Sequence, residues 1–177
     1  MHVDLICHPD TPARSVERIR ATFAPSGYRP TMLEYRVFAS GGLAVPTPGR
    51  VERSGELWKT TCFELFTREV PDDSYFEFNF SPSRAWAAYR FDSYRKGMRD
   101  LPLAPPKIDF WSDVTGCSLR VALDLIAPWT GPSRSGLSAV IEEVDGTKSY
   151  WALANPNPEK PDFHHPDCFA IELPPLV

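Results

Sequence analysis

Aromatic and polar residues alternate strictly in Tyr75-Phe76-Glu77-Phe78-Asn79-Phe80. A period of two is the signature of a half-buried β-strand, because successive side chains leave the sheet on opposite faces. Phe76, Phe78 and Phe80 therefore share one face, and Tyr75, Glu77 and Asn79 share the other. The run Cys62-Phe63-Glu64-Leu65-Phe66 just before it alternates in the same way. Residues 32–39 and 117–125 repeat the pattern: Leu33, Tyr35 and Val37 oppose Glu34 and Arg36, while Leu119, Val121, Leu123 and Leu125 oppose Arg120 and Asp124. Further strands are predicted at 3–7, 58–67, 74–81, 86–92, 108–112, 136–144, 150–154 and 169–173. One stretch breaks the rhythm. Val16, Ile19 and Phe23 recur at helical spacing behind Ser15, a candidate cap, which predicts a short helix over 14–23.

Turn chemistry separates these runs. Ser81-Pro82-Ser83-Arg84 reads as a hairpin connection, and Asp145-Gly146 as another, with Gly supplying a positive φ. Residues 41–53 are rich in Gly and Pro and read as an irregular loop, 92–99 as a single turn or loop, and 101–107 as a proline-rich crossing. The 19 prolines punctuate short elements throughout. Short strands at regular spacing predict a mainly β fold, an antiparallel β-sandwich of jelly-roll-like type with at most one or two short helices. The 177 residues fit a single domain, 1–177, able to bury its core without disulfides or metals.

Charge and cysteine usage narrow the partners. A net charge of -4 and a pI near 5.6 give no clustered cationic surface for nucleic acid. No apolar run reaches the ~20 residues of a membrane span, and the first residues lack the basic start of a secretory signal, so the expected location is cytoplasmic. Cys7, Cys62, Cys117 and Cys168 are irregularly spaced and read as buried reduced thiols.

Parity also assembles a candidate site. If Phe63, Leu65, Phe76, Phe78 and Phe80 line one core, Glu64 and Glu77 look out together. Placing Ala87, Tyr89 and Phe91 on the core side of the next strand sets Trp86 and Arg90 beside those acids. The expected patch then offers Trp58, Tyr75 and Trp86 as flat apolar platforms, with Glu64, Glu77, Asn79 and Arg90 as polar groups. Such a patch suits a small-molecule ligand with apolar C–H faces and hydroxyls, most of all a sugar. The same residues support plainer readings: Glu77 and Arg90 as a cross-strand pair, Trp58 and Trp151 as packing residues, Asn155 as a turn residue, or the aromatic face as the interface of a homodimer. Glu64 and Glu77 could also serve a glycan-acting enzyme, where paired carboxylates stand ~5–9.5 Å apart. An adjacent Arg90 would lower a carboxylate's pKa, the wrong direction for a general acid. No catalytic residue is assigned.

The order Leu57-Trp58-Lys59-Thr60-Thr61-Cys62-Phe63-Glu64-Leu65-Phe66, then Tyr75 to Pro82, then Asp162-Phe163-His164, resembles the DOMON-like superfamily. The bacterial branch similar to family-nine carbohydrate-binding modules fits best, over roughly residues 55–173, and Cys7-His8-Pro9 adds to the likeness. The resemblance implies a β-sandwich that binds a sugar or, in other branches, haem. Those sugar-binding modules carry acidic residues after the tryptophan, where this chain has Lys59, Thr60 and Thr61, so the resemblance implies neither a calcium site nor a particular sugar.

No cofactor is expected. Met32 and Met98 sit in no haem-ligating motif. In His164-His165-Pro166-Asp167-Cys168, adjacent histidines on extended chain point apart and cannot easily share one ion. His164 is expected to make a fold-defining hydrogen bond instead, and no metal is assigned.

Overall fold

The computed structural model describes residues 1–25, 30–124 and 131–175. Its strands are β1 (His2–Cys7), β2 (Val16–Ala24), β3 (Thr31–Ala39), β4 (Glu52–Arg53), β5 (Cys62–Glu69), β6 (Tyr75–Phe80) and β7 (Ala85–Phe91) in the first half. β8 (Arg99–Asp100), β9 (Lys107–Asp113), β10 (Gly116–Leu123), β11 (Ser133–Glu142), β12 (Lys148–Ala152) and β13 (Ile171–Leu173) complete it. Leu125, expected to extend β10, lies outside the described residues.

Two layers face each other. One runs β1-β2-β3-β10-β9 and the other β4-β7-β6-β5-β11-β12. β1 turns the corner between them: His2–Leu5 pair with β2, while Ile6 and Cys7 pair with β12. Among the described residues every strand pair is antiparallel except the short β4 against β7. Small β8 and β13 attach to β7 and β11.

The alternating residues meet between the layers. Ile19, Leu33, Tyr35, Val37, Leu119 and Val121 come from one layer, and Phe63, Leu65, Phe78, Phe80, Leu137 and Trp151 from the other. Trp151 is thus a core residue, and its indole N–H donates to Ser149 Oγ at 2.9 Å. Tyr35 spans the gap; its ring centroid lies 5.0 Å from that of Phe63, and its hydroxyl donates to the Glu64 carbonyl at 2.6 Å. That bond satisfies a phenol that burial would otherwise leave costly. Phe76, at the strand's margin, is only partly buried against the core.

The helix predicted over 14–23 is instead strand β2, paired with β1 and β3. A register shift between Val16 and Arg18 inserts an extra residue. Ile19, Ala21 and Phe23 then alternate inward. The bulge stretches the Val16-to-Ile19 spacing to three and so imitates a helical period. Ser15 caps no helix; its backbone N–H donates 2.9 Å to the Glu143 carboxylate, which also accepts the Arg14 N–H at 2.8 Å. Helical structure among the described residues is limited to two 3-10 turns, Leu57–Lys59 and Pro166–Cys168. No helix there is long and apolar enough to cross a membrane.

Candidate functional site

The outer face of β5, β6 and β7 is partly covered. Phe66, Tyr75, Phe91, Val140, Phe163, Cys168 and Phe169 form a second aromatic cluster on it. His164, in the segment leading to β13, enters this cluster with its ring centroid 5.1 Å from Phe66 and 5.2 Å from Phe91. Beside it opens a cleft of about 550 Å³, lined by Glu64, Glu77 and Asn79 on the sheet and by aromatic residues around them.

Register explains the floor. Glu64 stands opposite Asn79 of β6 and opposite Ser138 of β11. Ser138 donates its hydroxyl to Glu64 Oε2 at 3.1 Å, and Asn79 donates its amide to Glu77 Oε1 at 2.6 Å. Glu64 is 4% exposed and Glu77 7%. Burial and the neighbouring Glu77 charge push Glu64 up to about 8, against the Ser138 hydrogen bond and Arg95. Burial raises Glu77 as well, against the Asn79 amide and Arg95.

The walls come from two turns and the C-terminal segment. Glu56 adopts φ 58° ahead of the first 3-10 turn, which leaves Trp58 half-exposed at the rim rather than on β5. Arg95, at φ 55°, reaches over the cleft and donates to buried Asp162 at 2.7 Å. Tyr94 bonds the other oxygen of the same carboxylate. Despite burial, these bonds hold Asp162 below the ordinary carboxylate range. Tyr75 lies under the wall, stacked on Phe91 at 4.7 Å. Its oxygen accepts the Arg95 backbone N–H at 3.1 Å and meets His164 Nδ1 at 2.7 Å. Burial raises the phenol to about 12. The other ring nitrogen, Nε2, lies 3.6 Å from Glu77 Oε2. Burial first, and Arg95 next, lower His164 to about 4, so the ring is neutral near pH 7.

The structure brings together Glu64, Glu77, Asn79 and Trp58 in the cleft, with Tyr75 behind it. It does not bring Trp86 or Arg90 there. Trp86 belongs to the inter-layer core under the Arg53 guanidinium, 4.3 Å from the ring, and Arg90 lies over Phe76 at 5.9 Å. The reason is one residue of loop. Ser81 N–H bonds the Ala85 carbonyl at 2.9 Å, and Phe80 pairs with Trp86, so the connection is Pro82-Ser83-Arg84, with Arg84 at φ 72°. A three-residue loop pairs even positions with even ones, whereas the four-residue reading reverses the face of every β7 side chain. Tyr89 and Phe91 therefore line the cleft, and the carboxylates escape the Arg90 charge assumed for them.

Sequence reasoning also missed Arg95, Tyr150, Phe163 and His164 as lining residues. His164 makes the structural hydrogen bond expected of it, yet faces the cleft as well. Its place in Asp162-Phe163-His164 was the available signal; nothing in the local pattern marked Arg95. His165 turns away and accepts from Asp167 N–H at 3.2 Å within its own turn.

No protein-family model and no curated protein matches the sequence. Two solved structures resemble the fold. A protein from Bacteroides uniformis, to which carbohydrate binding has been ascribed, aligns over 94% of this chain and 83% of its own with a TM-score of 0.68 and 16% identity. A family 9 carbohydrate-binding module from Caldicellulosiruptor kristjanssonii, in complex with cellotriose, aligns over 84% and 71% with a TM-score of 0.49 and 11% identity. The Bacteroides protein shares the sandwich.

Proposed function

We propose that this protein is a non-catalytic module that holds a carbohydrate or sugar derivative in the cleft on β5, β6 and β7. The observation that carries the reading is the cleft itself: acceptor-rich Glu64, Glu77 and Asn79 at the base, with Trp58, Tyr89 and Phe91 around them. Aromatic faces take the C–H side of a pyranose, and the buried acids and amide take its hydroxyls in hydrogen bonds. The carbohydrate-binding role ascribed to the Bacteroides uniformis protein, which shares the fold, supports this assignment. Membership of the DOMON-like superfamily, on the family-nine side, is part of the same proposal.

Binding is favoured over hydrolysis by the disposition of the acids. A glycosidase sets its two carboxyl groups on either side of the scissile bond. Glu64 and Glu77 both rise from one sheet surface, so a ring lying on it meets both from the same side. Isothermal calorimetry with a panel of mono- and disaccharides at millimolar concentration tests the assignment. Binding by the native protein, weakened at least tenfold in Glu77→Gln with no turnover of chromogenic glycosides, is the expected result. Absence of any binding refutes the module. Turnover lost in Glu77→Gln establishes the enzyme in its place.

A further inference from the structure

The cations around the cleft are already engaged. Arg95 is bonded to Asp162, and Lys59, next to Trp58, pairs with Glu56 at 2.8 Å. His164 is uncharged near neutrality. The groups facing Glu64 from β11 and β6 are a hydroxyl and an amide. Those around Glu77 are Asn79, Tyr89 across the β7 pairing, and neutral His164. Among the described residues, Lys and Arg make no ion pair with either carboxylate. Glu64 Oε1 has no hydrogen-bond donor there, and Glu77 Oε2 has only the imidazole at 3.6 Å, beyond hydrogen-bonding distance. Two acids more than nine-tenths buried thus open onto a ligand-sized cavity with acceptor capacity unused and no Lys or Arg ion-pair partner, the nearby Arg95 being bonded to Asp162.

We propose that the occupant of this cleft carries a protonated amine, as an amino sugar does, and that its ammonium group sits between Glu64 and Glu77. The inference rests on the carbohydrate reading of the site and adds the ligand's charge. An ammonium brings three donors and no acceptor, the complement of carboxylate oxygens that can only accept when ionised. Its electrostatic gain is larger here than at the surface, because buried charges are poorly screened. A metal ion is the other cation to weigh. No group of three or more His, Cys, Asp or Glu side chains stands ready to hold one among the described residues, and a bare ion leaves Tyr89, Phe91 and Trp58 without a role. A carbon frame bearing an ammonium uses both halves of the cleft. A neutral sugar meets the aromatic rings and hydrogen-bonds the acids but brings no charge, leaving them to share a proton, in keeping with the raised titration of Glu64.

Calorimetry near pH 6 tests this with matched probes: glucosamine, galactosamine and chitosan oligosaccharides against glucose, galactose, cello-oligosaccharides and the N-acetylated amines. At least one amine is expected to bind ten times or more tightly than its neutral and acetylated counterparts. Glu77→Gln and, separately, Glu64→Gln should reduce that preference to below threefold, with circular dichroism confirming the fold. Glu34→Gln, on the opposite layer and paired there with Arg120, should leave the preference intact. Equal binding of amine and neutral sugar overturns the ammonium assignment while the carbohydrate module stands. Neutral sugars that match the amines only with added calcium make the metal the counter-charge and overturn it also. No binding by any probe overturns both.

Discussion

The sandwich has two outer faces, and they treat acids in opposite ways. On the β1-β2-β3-β10-β9 layer three carboxylates meet a guanidinium at the surface: Asp4 with Arg20 at 2.9 Å, Glu34 with Arg120 at 3.0 Å, Asp113 with Arg36 at 3.1 Å. Hydrogen bonds from Arg36 and Thr115 hold Asp113 well below the usual carboxylate range. On the β7-β6-β5-β11 layer, Glu64 and Glu77 are buried beneath loops and aromatic rings, and their titration moves upward. One face is an ordinary solvated surface with its charges matched internally. The other withholds the match, which is what leaves an acid free to meet something from outside.

The contrast yields three measurements, ordered by expected size. Phe66→Ala removes a fully buried ring from the covered face and should cost about 3–5 kcal/mol in urea unfolding. Phe38→Ala, where the partly buried ring lies under Arg18 at 4.2 Å, should cost about 1 kcal/mol. Similar losses at the two positions would mean that the covered face is no second core. The next effect is of pH. Because Glu64 titrates higher folded than unfolded, the folded state holds more protons between about 4.5 and 8. Its contribution is therefore complete below the unfolded value and is lost as pH rises through the folded one, at up to about 1.4 kcal/mol per pH unit. Glu64→Gln should remove much of this alkaline loss of melting temperature, leaving the part due to Glu77. His164, lowered from 6.5 to about 4, acts oppositely: stability falls as pH drops through that window. A native protein whose melting temperature is flat from pH 5 to 8, with Glu64→Gln parallel to it, would place the acid in water. The smallest effect separates the ion pairs. Arg95→Ala strands the nearly buried Asp162 carboxylate and should cost about 2 kcal/mol. Arg120→Ala, facing half-exposed Glu34, should cost less than about 1 kcal/mol. Equal costs would erase the electrostatic distinction between the faces.

Strand alternation was legible wherever packing on one side dominated. Phe63 and Leu65, Phe78 and Phe80, and Leu33, Tyr35 and Val37 all face inward as their spacing requires. The opposed acids Glu64 and Glu77 share the other side for the same reason. The expectations that changed were those in which an inserted residue shifts the count. A bulge after Val16 made a strand look helical, and a three-residue loop before Ala85 exchanged Trp86 and Arg90 for Tyr89 and Phe91. Trp58 left its strand through a 3-10 turn but still reached the rim.

Local periodicity by itself determined that this chain is built of strands, which side of β5 and β6 is apolar, and that two acids stand together opposite that side. It did so because a side chain's direction in a strand depends only on its neighbours along the chain. Tertiary structure alone decided that Arg95 and His164, from distant loops, close over those acids, and that Arg90 does not neutralise them. Charge compensation depends on distances between segments far apart in sequence, and a single residue of loop length reverses which groups come within reach.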